Sequence, residues 1–125
     1  MFRTEIEKTA KTKDSNIVLA LDLPFEKPES RFTLLDKAEH ILKEVSTYIC
    51  AVKFNHHLVL TLGTFDGVKE IIKKAHEMGL LTIMDCKLND IGSTNEVIAE
   101  YYYAAGFDAL IANPKVGFFE GENED

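Results

Sequence analysis

Cysteine is scarce in this sequence, and its placement argues against two common uses of the residue. Among 125 residues only Cys50 and Cys86 are cysteines, and each lies inside an apolar segment of the kind that forms buried strands. No metal-ligand spacing accompanies either of them. We therefore expect two reduced thiols in the core, without a disulfide or a bound metal.

Long apolar runs and basic clusters are also missing. No apolar stretch approaches the length of a membrane span, and residues 1–16 are charged rather than apolar, which excludes a secretory signal. The formal net charge is -7, and four of the acids fall within the last six residues. We interpret residues 120–125 as a solvated acidic tail. The composition indicates a cytoplasmic globular protein without a nucleic-acid or membrane partner.

Strand and helix patterns alternate along the rest of the chain. After a short leader helix within residues 1–15, apolar runs predict four strands, and apolar residues three and four apart predict three helices between them. The predicted strands are 16–24, 48–54, 80–87 and 108–112, and the predicted helices are 30–46, 68–78 and 94–105. Gly79 and Gly106 end the last two helices. This alternation is typical of parallel sheets with helical crossovers.

Two α/β architectures fit this order, an open doubly wound sheet and a (βα)8 barrel. The glycine-rich turn of a dinucleotide-binding sheet does not follow the first strand. A complete barrel has about 250 residues, and this chain has half that length and four strands. The alternation alone leaves both architectures open, and in the TIM-barrel case residues 16–119 would cover roughly the first four βα units.

Each predicted strand ends in a polar or charged residue. These residues are Asp22, Lys53, Asp85 with Lys87, and Asn113. In a parallel barrel the carboxyl ends of the strands form the mouth where functional groups lie. A structural ion-pair network is the alternative, since buried charges must be paired. We favour a site for charged chemistry, because apolar side chains would fill a purely structural core more simply.

Strand alternation predicts which face of the sheet each of these charged side chains occupies. Asp85 and Lys87 are two residues apart, so they should share a face while Cys86 points to the helices. By the same parity Lys53 and Asp22 should face inward. A lysine beside a carboxylate stays protonated and can donate a proton, and the carboxylate can orient it.

The histidines do not indicate a competing catalytic centre. His56 and His57 are adjacent, so in a strand they would face opposite sides, and we interpret them as loop or helix-start residues. The sequence also offers no serine–histidine pairing and no glycine loop that could bind a phosphate.

The segment from Asp85 to Thr94 resembles the signature of a known family. Its pattern, Asp85-x-Lys87-x-x-Asp90-Ile91-Gly92-x-Thr94, is similar to that of orotidine 5′-phosphate decarboxylases. Weaker similarities in the same order are Leu21-Asp22, Val52-Lys53-Phe54-Asn55, and the run Ala109 to Pro114 followed by Gly117. The resemblance extends from about Ile17 to Gly117 and implies the TIM-barrel fold.

The resemblance implies decarboxylation of orotidine 5′-monophosphate to uridine 5′-monophosphate in pyrimidine biosynthesis, without a cofactor or metal. Lys87 would protonate C6 of the pyrimidine, Asp85 would lie against the substrate carboxylate, and Lys53 would complete the charged chain. The loop with Asp90 would reach the neighbouring subunit's site, which implies a homodimer with shared active sites. The implied substrate-binding residues are Asp22, Lys53, Ile91, Thr94 and Asn113.

Two other functions stay open. Sugar-phosphate decarboxylases and synthases of the same superfamily share the Asp-x-Lys-x-x-Asp pattern and usually use magnesium, although the continuation Ile91-Gly92-Ser93-Thr94 favours the nucleotide enzyme. The phosphate-binding groups of the family lie in the second half of the barrel, beyond the segment that these 125 residues resemble. The third hypothesis is therefore a half-barrel that acts only as an assembly or folding partner.

Overall fold

The fold is built on one parallel sheet of four strands. A computed structural model describes residues 1–24, 31–88 and 92–112. The strands are β1 (Val18–Leu21), β2 (Ala51–Phe54), β3 (Leu81–Leu88) and β4 (Ala109–Ala112), in that spatial order. Each strand pairs with the next one along the chain, as in a barrel, whereas a doubly wound sheet reverses its strand order. The predicted barrel-type sheet is confirmed.

Five α-helices accompany the sheet in the described part of the chain. They are α1 (Phe2–Lys13), α2 (Arg31–Val45), α3 (His56–Leu62), α4 (Lys69–Glu77) and α5 (Gly92–Ala105). A 3-10 turn, Ser46–Tyr48, follows α2, and a π-helical segment, Gly63–Val68, joins α3 to α4. In residues 1–24, 31–88 and 92–112, no helix has the length and apolar character needed to cross a membrane.

The two faces of the sheet differ in burial. Val52, Phe54 and Met84 are fully buried and belong to the core that the strands share with the helices. The alternate positions of the strands face the other side of the sheet. On that side Val18 of β1 is 43% exposed and Lys53 of β2 is partly exposed. The predicted alternation is confirmed, with apolar residues on the helix side. Burial of each large apolar side chain contributes about 1.5–3 kcal/mol.

Glycines end two of the helices at the predicted positions. Gly79, just after α4, has a φ of 79°, and the following amide of Leu80 donates to the Ala75 carbonyl at 3.0 Å. Gly106, just after α5, has a φ of 112°. Glycine adopts this left-handed conformation without a steric penalty, so it closes a helix at low cost.

The segment between β2 and α4 contains a helix that the apolar spacing did not predict. Helix α3 begins at His56, and the side chain of Asn55 caps it by accepting a hydrogen bond from the Leu58 amide at 3.0 Å. The interpretation of His56 as a helix-start residue is confirmed. The apolar spacing predicted a helix only from residue 68 onward. The π-helical segment between α3 and α4 interrupts the 3.6-residue period, so α3 does not continue the pattern of α4.

The first two strands are shorter than predicted. β1 and β2 contain four residues each, whereas apolar runs predicted 16–24 and 48–54. The 3-10 turn Ser46–Tyr48 occupies the start of the second run. Both cysteines are buried, as expected.

Asp108 fixes the starts of β3 and β4. Its Oδ2 accepts hydrogen bonds from the amide and the hydroxyl of Thr82, at 2.8 and 3.1 Å, and lies 2.8 Å from Nε2 of His76 in α4. Thr82 is fully buried, so its amide needs this acceptor. One carboxylate thus holds two strands and a helix together at the amino-terminal edge of the sheet.

Lys13 anchors α1 near the same amino-terminal edge of the sheet. Its Nζ donates to the carbonyl oxygens of Ser46 at 3.0 Å and Met78 at 2.6 Å. Both carbonyls lie just beyond the carboxyl ends of helices, where a cation is favoured. Helix α1 has no buried residue of its own, so these bonds hold a helix that gains little from apolar burial.

Replacement of Lys13 by alanine is expected to lower the free energy of unfolding by about 2 kcal/mol, because two hydrogen bonds from a charged donor are lost. Lys11→Ala is the matched control, since Lys11 is exposed on the same helix, and it should stay within about 0.5 kcal/mol of the wild type. Chemical denaturation followed by circular dichroism measures both variants. Equal losses in the two would show that Lys13 does not anchor α1.

Candidate active site

Charged side chains meet at the carboxyl-terminal edge of the sheet, where β2 and β3 end. The Lys87 Nζ donates to both carboxylate oxygens of Asp85, each at 2.9 Å. The Nζ of Lys53, in β2, lies 3.6 Å from Oδ2 of the same carboxylate. The two strands therefore bring together three of the residues predicted at the barrel mouth. We refer to Lys53, Asp85 and Lys87 as the charged cluster.

Asp85 is the most enclosed member of the charged cluster. Its side chain is 11% exposed, against 31% for Lys53 and 73% for Lys87. Burial acts to raise the pKa of Asp85, but the hydrogen bonds and charge of Lys87, with the charge of Lys53, outweigh burial and hold that pKa below its ordinary value. The carboxylate therefore stays ionised at neutral pH. It fixes one ammonium group while leaving that group open to solvent.

Strand β3 is irregular where it carries the charged cluster. Its pairing with β4 passes from Met84–Leu110 directly to Leu88–Ala112, so three residues of β3 lie opposite Ile111 alone. This is a β-bulge, which bends a strand and redirects its side chains, and such bulges are frequent beside active sites.

The backbone of Lys87 is strained. Its φ is 47°, a left-handed conformation that costs a non-glycine residue about 1–2 kcal/mol. The prediction that Asp85 and Lys87 would lie together is confirmed by their hydrogen bonds. Regular alternation does not continue through the bulge, however, and the turned backbone at Lys87 brings the ammonium onto the carboxylate.

Asp22 and Thr94 are the other predicted site residues that the structure describes. Asp22 is exposed immediately after β1, at the same edge of the sheet as Lys53, and Thr94 is exposed in the first turn of α5. The remaining predicted residues, and the predicted acidic tail, lie outside the described residues: Asp90, Ile91, Asn113 and 120–125.

A purely structural ion-pair network explains the charged cluster less well. Lys53 already faces the Asp85 carboxylate, whereas the Lys87 ammonium is 73% exposed and is carried on a left-handed backbone that costs about 1–2 kcal/mol. A purely structural pair does not need a second partner that is mostly in water and strained, and local strain of this kind is typical of functional sites.

The chemistry of the charged cluster suits an anionic substrate and proton donation. A single carboxylate between two ammonium groups leaves a net positive charge at the strand ends. Within residues 1–24, 31–88 and 92–112, no three histidine, cysteine, aspartate or glutamate side chains are grouped so that they could hold a metal ion. The described side chains at this edge of the sheet are an oriented ammonium, its carboxylate partner and a second ammonium.

The bulge had no signal in the sequence. Glycine marks many bulges, but the segment Asp85–Leu88 contains none. The thiol of Cys86, between the two charged residues, was predicted only to face the helices, and it is 8% exposed there. A pattern of charged and apolar positions cannot reveal the two extra residues in β3, because the bulge depends on how the partner strand pairs with it.

Comparisons with known proteins agree on one family. The family model for "Orotidine 5′-phosphate decarboxylase / HUMPS family" matches residues 15–119. The orotidine 5′-phosphate decarboxylase of Pyrococcus abyssi is 38% identical over 102 residues, which cover 81% of this chain and 42% of that protein. Its counterpart from Pyrococcus furiosus is 40% identical over 101 residues, with the same coverage.

A solved structure agrees with the sequence matches. The crystal structure of orotidine 5′-phosphate decarboxylase from Pyrococcus horikoshii OT3 superposes with a TM-score of 0.59 at 35% identity, covering 81% of this chain and 42% of that one. The chain thus spans less than half the length of the curated relatives it matches.

The strain at Lys87 predicts an unusual response to glycine. Lys87→Gly should be about 1 kcal/mol more stable than Lys87→Ala, because glycine tolerates the left-handed backbone. At Lys53, in the regular strand β2, the order should reverse, with glycine about 0.5–1 kcal/mol less stable than alanine. Urea denaturation of the four variants gives both differences. The same sign at both positions would contradict a left-handed Lys87.

Proposed function

Because the chain belongs to the orotidine 5′-phosphate decarboxylase / HUMPS family, we propose that it carries the charged strand ends of a cofactor-free orotidine 5′-monophosphate decarboxylase. The reaction yields uridine 5′-monophosphate and carbon dioxide, a step of pyrimidine biosynthesis in the cytoplasm. The observation that carries the proposal is the charged cluster, in which Lys87 is fixed by two 2.9 Å hydrogen bonds yet remains 73% exposed.

The proposed chemical step needs one proton donor. The bond between C6 of the pyrimidine and its carboxylate breaks, carbon dioxide leaves, and the electron pair stays on C6. The Lys87 ammonium transfers a proton to C6 and is protonated again by solvent. A fixed ammonium stabilises the developing negative charge well, since it needs no reorganisation during the reaction.

Asp85 has a positioning and electrostatic role in this proposal. Its carboxylate accepts both hydrogen bonds from Lys87, so it sets the place from which the proton is delivered. It would also lie against the substrate carboxylate, and the repulsion between the two would be relieved when carbon dioxide leaves. Two ammonium groups beside Asp85 keep it ionised for this role.

The ribose and the base would be held by residues around the charged cluster. Lys53 points from β2 toward the same carboxylate and would contact the ribose, and Asp22, exposed at the end of β1, would bind ribose hydroxyls. Asn113 follows the end of β4 in sequence and would contribute to substrate binding.

We also propose a homodimer with shared active sites. The residues proposed to reach the partner's site are Asp90 and Ile91, which lie between β3 and α5 in the sequence, and Thr94 in the first turn of α5. Thr94 is exposed at the start of α5, which is compatible with a contact across subunits. No cofactor or metal takes part in this proposal.

A sugar-phosphate enzyme of the same superfamily is the second candidate, since the matching family takes in HUMPS enzymes as well as orotidine 5′-phosphate decarboxylases. The curated relatives that match are orotidine 5′-phosphate decarboxylases, which favours the nucleotide substrate. Decarboxylation of orotidine 5′-monophosphate that continues in excess EDTA would support the first candidate. An absolute magnesium requirement would rule it out.

A half-barrel that serves only as an assembly partner is the third candidate. The inner face of β1 leaves Val18 43% exposed, as expected if another surface covers it. Turnover by the pure 125-residue chain, measured together with its mass in solution, separates this candidate from an enzyme. A stable oligomer without turnover would favour it.

Lys87→Ala is expected to lower kcat for decarboxylation by about a thousandfold or more, because the proton donor is lost. The fold and some nucleotide binding should remain. Lys43→Ala, an exposed lysine in the last turn of α2, is the control and should keep its activity. Release of carbon dioxide from orotidine 5′-monophosphate is the measurement, and a near-normal rate in Lys87→Ala would refute the assignment.

Shared sites predict complementation between two inactive variants. Asp90→Ala should impair the partner's site, and Lys87→Ala should impair its own, so mixed dimers should contain one site with both residues intact. Mixing the two should restore up to about a quarter of the wild-type rate if subunits pair at random. Mixed dimers that form, as shown by mass spectrometry, but remain inactive would argue against a shared site.

A further inference from the structure

The thiol of Cys86 bridges β3 and β4 at the point where their regular pairing is interrupted. Cys86 lies between Asp85 and Lys87 in the bulge, and its Sγ donates to the Ile111 carbonyl at 3.7 Å. Ile111 is the single residue of β4 that faces the bulge. The thiol therefore links the strands through a side chain where the paired register of the two backbones is broken.

Cys86 lies in a buried environment close to Tyr102. The residue is 8% exposed on the helix side of the sheet, and Tyr102 of α5 is equally buried there. Burial raises the pKa of Tyr102, and the nearby Cys86 and Tyr101 add to that shift. Tyr102 packs edge-on against Phe107, with ring centroids 5.9 Å apart. On its helix-facing side, the bulge thus lies close to Tyr102, whose ring packs against Phe107.

We propose that Cys86 is a positioning residue, whose thiol holds the bulge of β3 against β4 and thereby keeps Lys87 on Asp85. The part of this proposal that concerns catalysis rests on the proposed function, whereas the part that concerns the geometry of the pair does not.

The strain in the bulge explains why a holding contact is needed. Lys87 keeps a left-handed backbone with a φ of 47°, and a regular strand would relieve that strain. A slip of one residue in a strand moves every side chain to the opposite face. Such a slip would carry Asp85 away from Lys53 and toward the helices. Asp108 fixes the start of the β3–β4 pair, and Cys86 would fix its end.

Cys50 provides a matched control within the same sheet. Its Sγ donates to the Ile17 carbonyl at 3.5 Å, and it is 1% exposed. It precedes β2 at the amino-terminal edge, away from the charged cluster, and its strand is regular. Both cysteines therefore donate a weak hydrogen bond to a carbonyl of a neighbouring segment, but only Cys86 lies in the bulge.

The first measurement is the titration of the Asp85 carboxyl by carbon-13 NMR in the 125-residue chain. Cys86→Ala should raise the pKa of Asp85 toward its ordinary value, because Lys87 is no longer held on the carboxylate. Cys86→Ser keeps a donor for the Ile111 carbonyl and should retain the wild-type titration. Cys50→Ala should leave the titration of Asp85 unchanged.

Two results would overturn the proposal. One is a folded Cys86→Ala variant in which Asp85 titrates as in the wild type, and the other is an equal change in Cys50→Ala. Should Cys86→Ala not fold, Cys86→Val replaces it, since valine is of similar size and has no donor. A wild-type titration in Cys86→Val would equally overturn the proposal.

Turnover of orotidine 5′-monophosphate is the second measurement. Cys86→Ala should lower kcat about fivefold with KM unchanged, as expected for the loss of one weak hydrogen bond of ~1 kcal/mol, and Cys86→Ser should restore it. A shifted Asp85 titration with no turnover in any chain, including the wild type, would remove the proposed function and leave the positioning role intact. A shifted titration with unchanged kcat would remove the catalytic part alone.

Discussion

A nearly buried carboxylate between two ammonium groups constrains the rest of this structure. Asp85 is ionised at 11% exposure, which is tolerable only because Lys53 and Lys87 stand beside it. The two lysines come from different strands, so the arrangement requires that β2 and β3 keep their register. Lys53 pairs with Ile83 in that register, which sets Asp85 two residues further toward the strand ends.

The opposite face of the sheet supplies the forces that keep this register. Phe54 and Phe107 make an edge-on contact at 5.1 Å, and Phe107 makes another with Tyr102, so one aromatic group joins β2, the start of β4 and α5. A one-residue slip of a strand would bring polar side chains into this core and apolar ones to the charged cluster. The apolar core thus stabilises the fold and, through the period of two, also orients the charges on the other face.

The sequence was sufficient to predict the strands, the helices and the three residues of the charged cluster, because each depends on local pattern, whereas that pattern allowed two strand orders and the family resemblance favoured the barrel. Apolar runs and helical spacing define the elements, and Asp85 and Lys87 are close along the chain. The left-handed backbone at Lys87 was not predictable, since it follows from how β3 pairs with Ile111, a residue 24 positions away in the chain. The π-helical segment was missed for a similar reason, as a change of helical period leaves few apolar positions to detect.

The strain at Lys87 bears on the same interaction. The left-handed residue costs about 1–2 kcal/mol, a sizeable part of the roughly 5–15 kcal/mol that stabilises a typical domain, and it falls on a residue whose ammonium is 73% exposed. The bulge and the contact of Lys87 with both oxygens of Asp85 occur within the same few residues of β3. The cost of the strained backbone and the cost of burying the Asp85 carboxylate therefore fall at one point of the sheet. The apolar core on the opposite face must offset both, because it supplies most of the favourable free energy of folding.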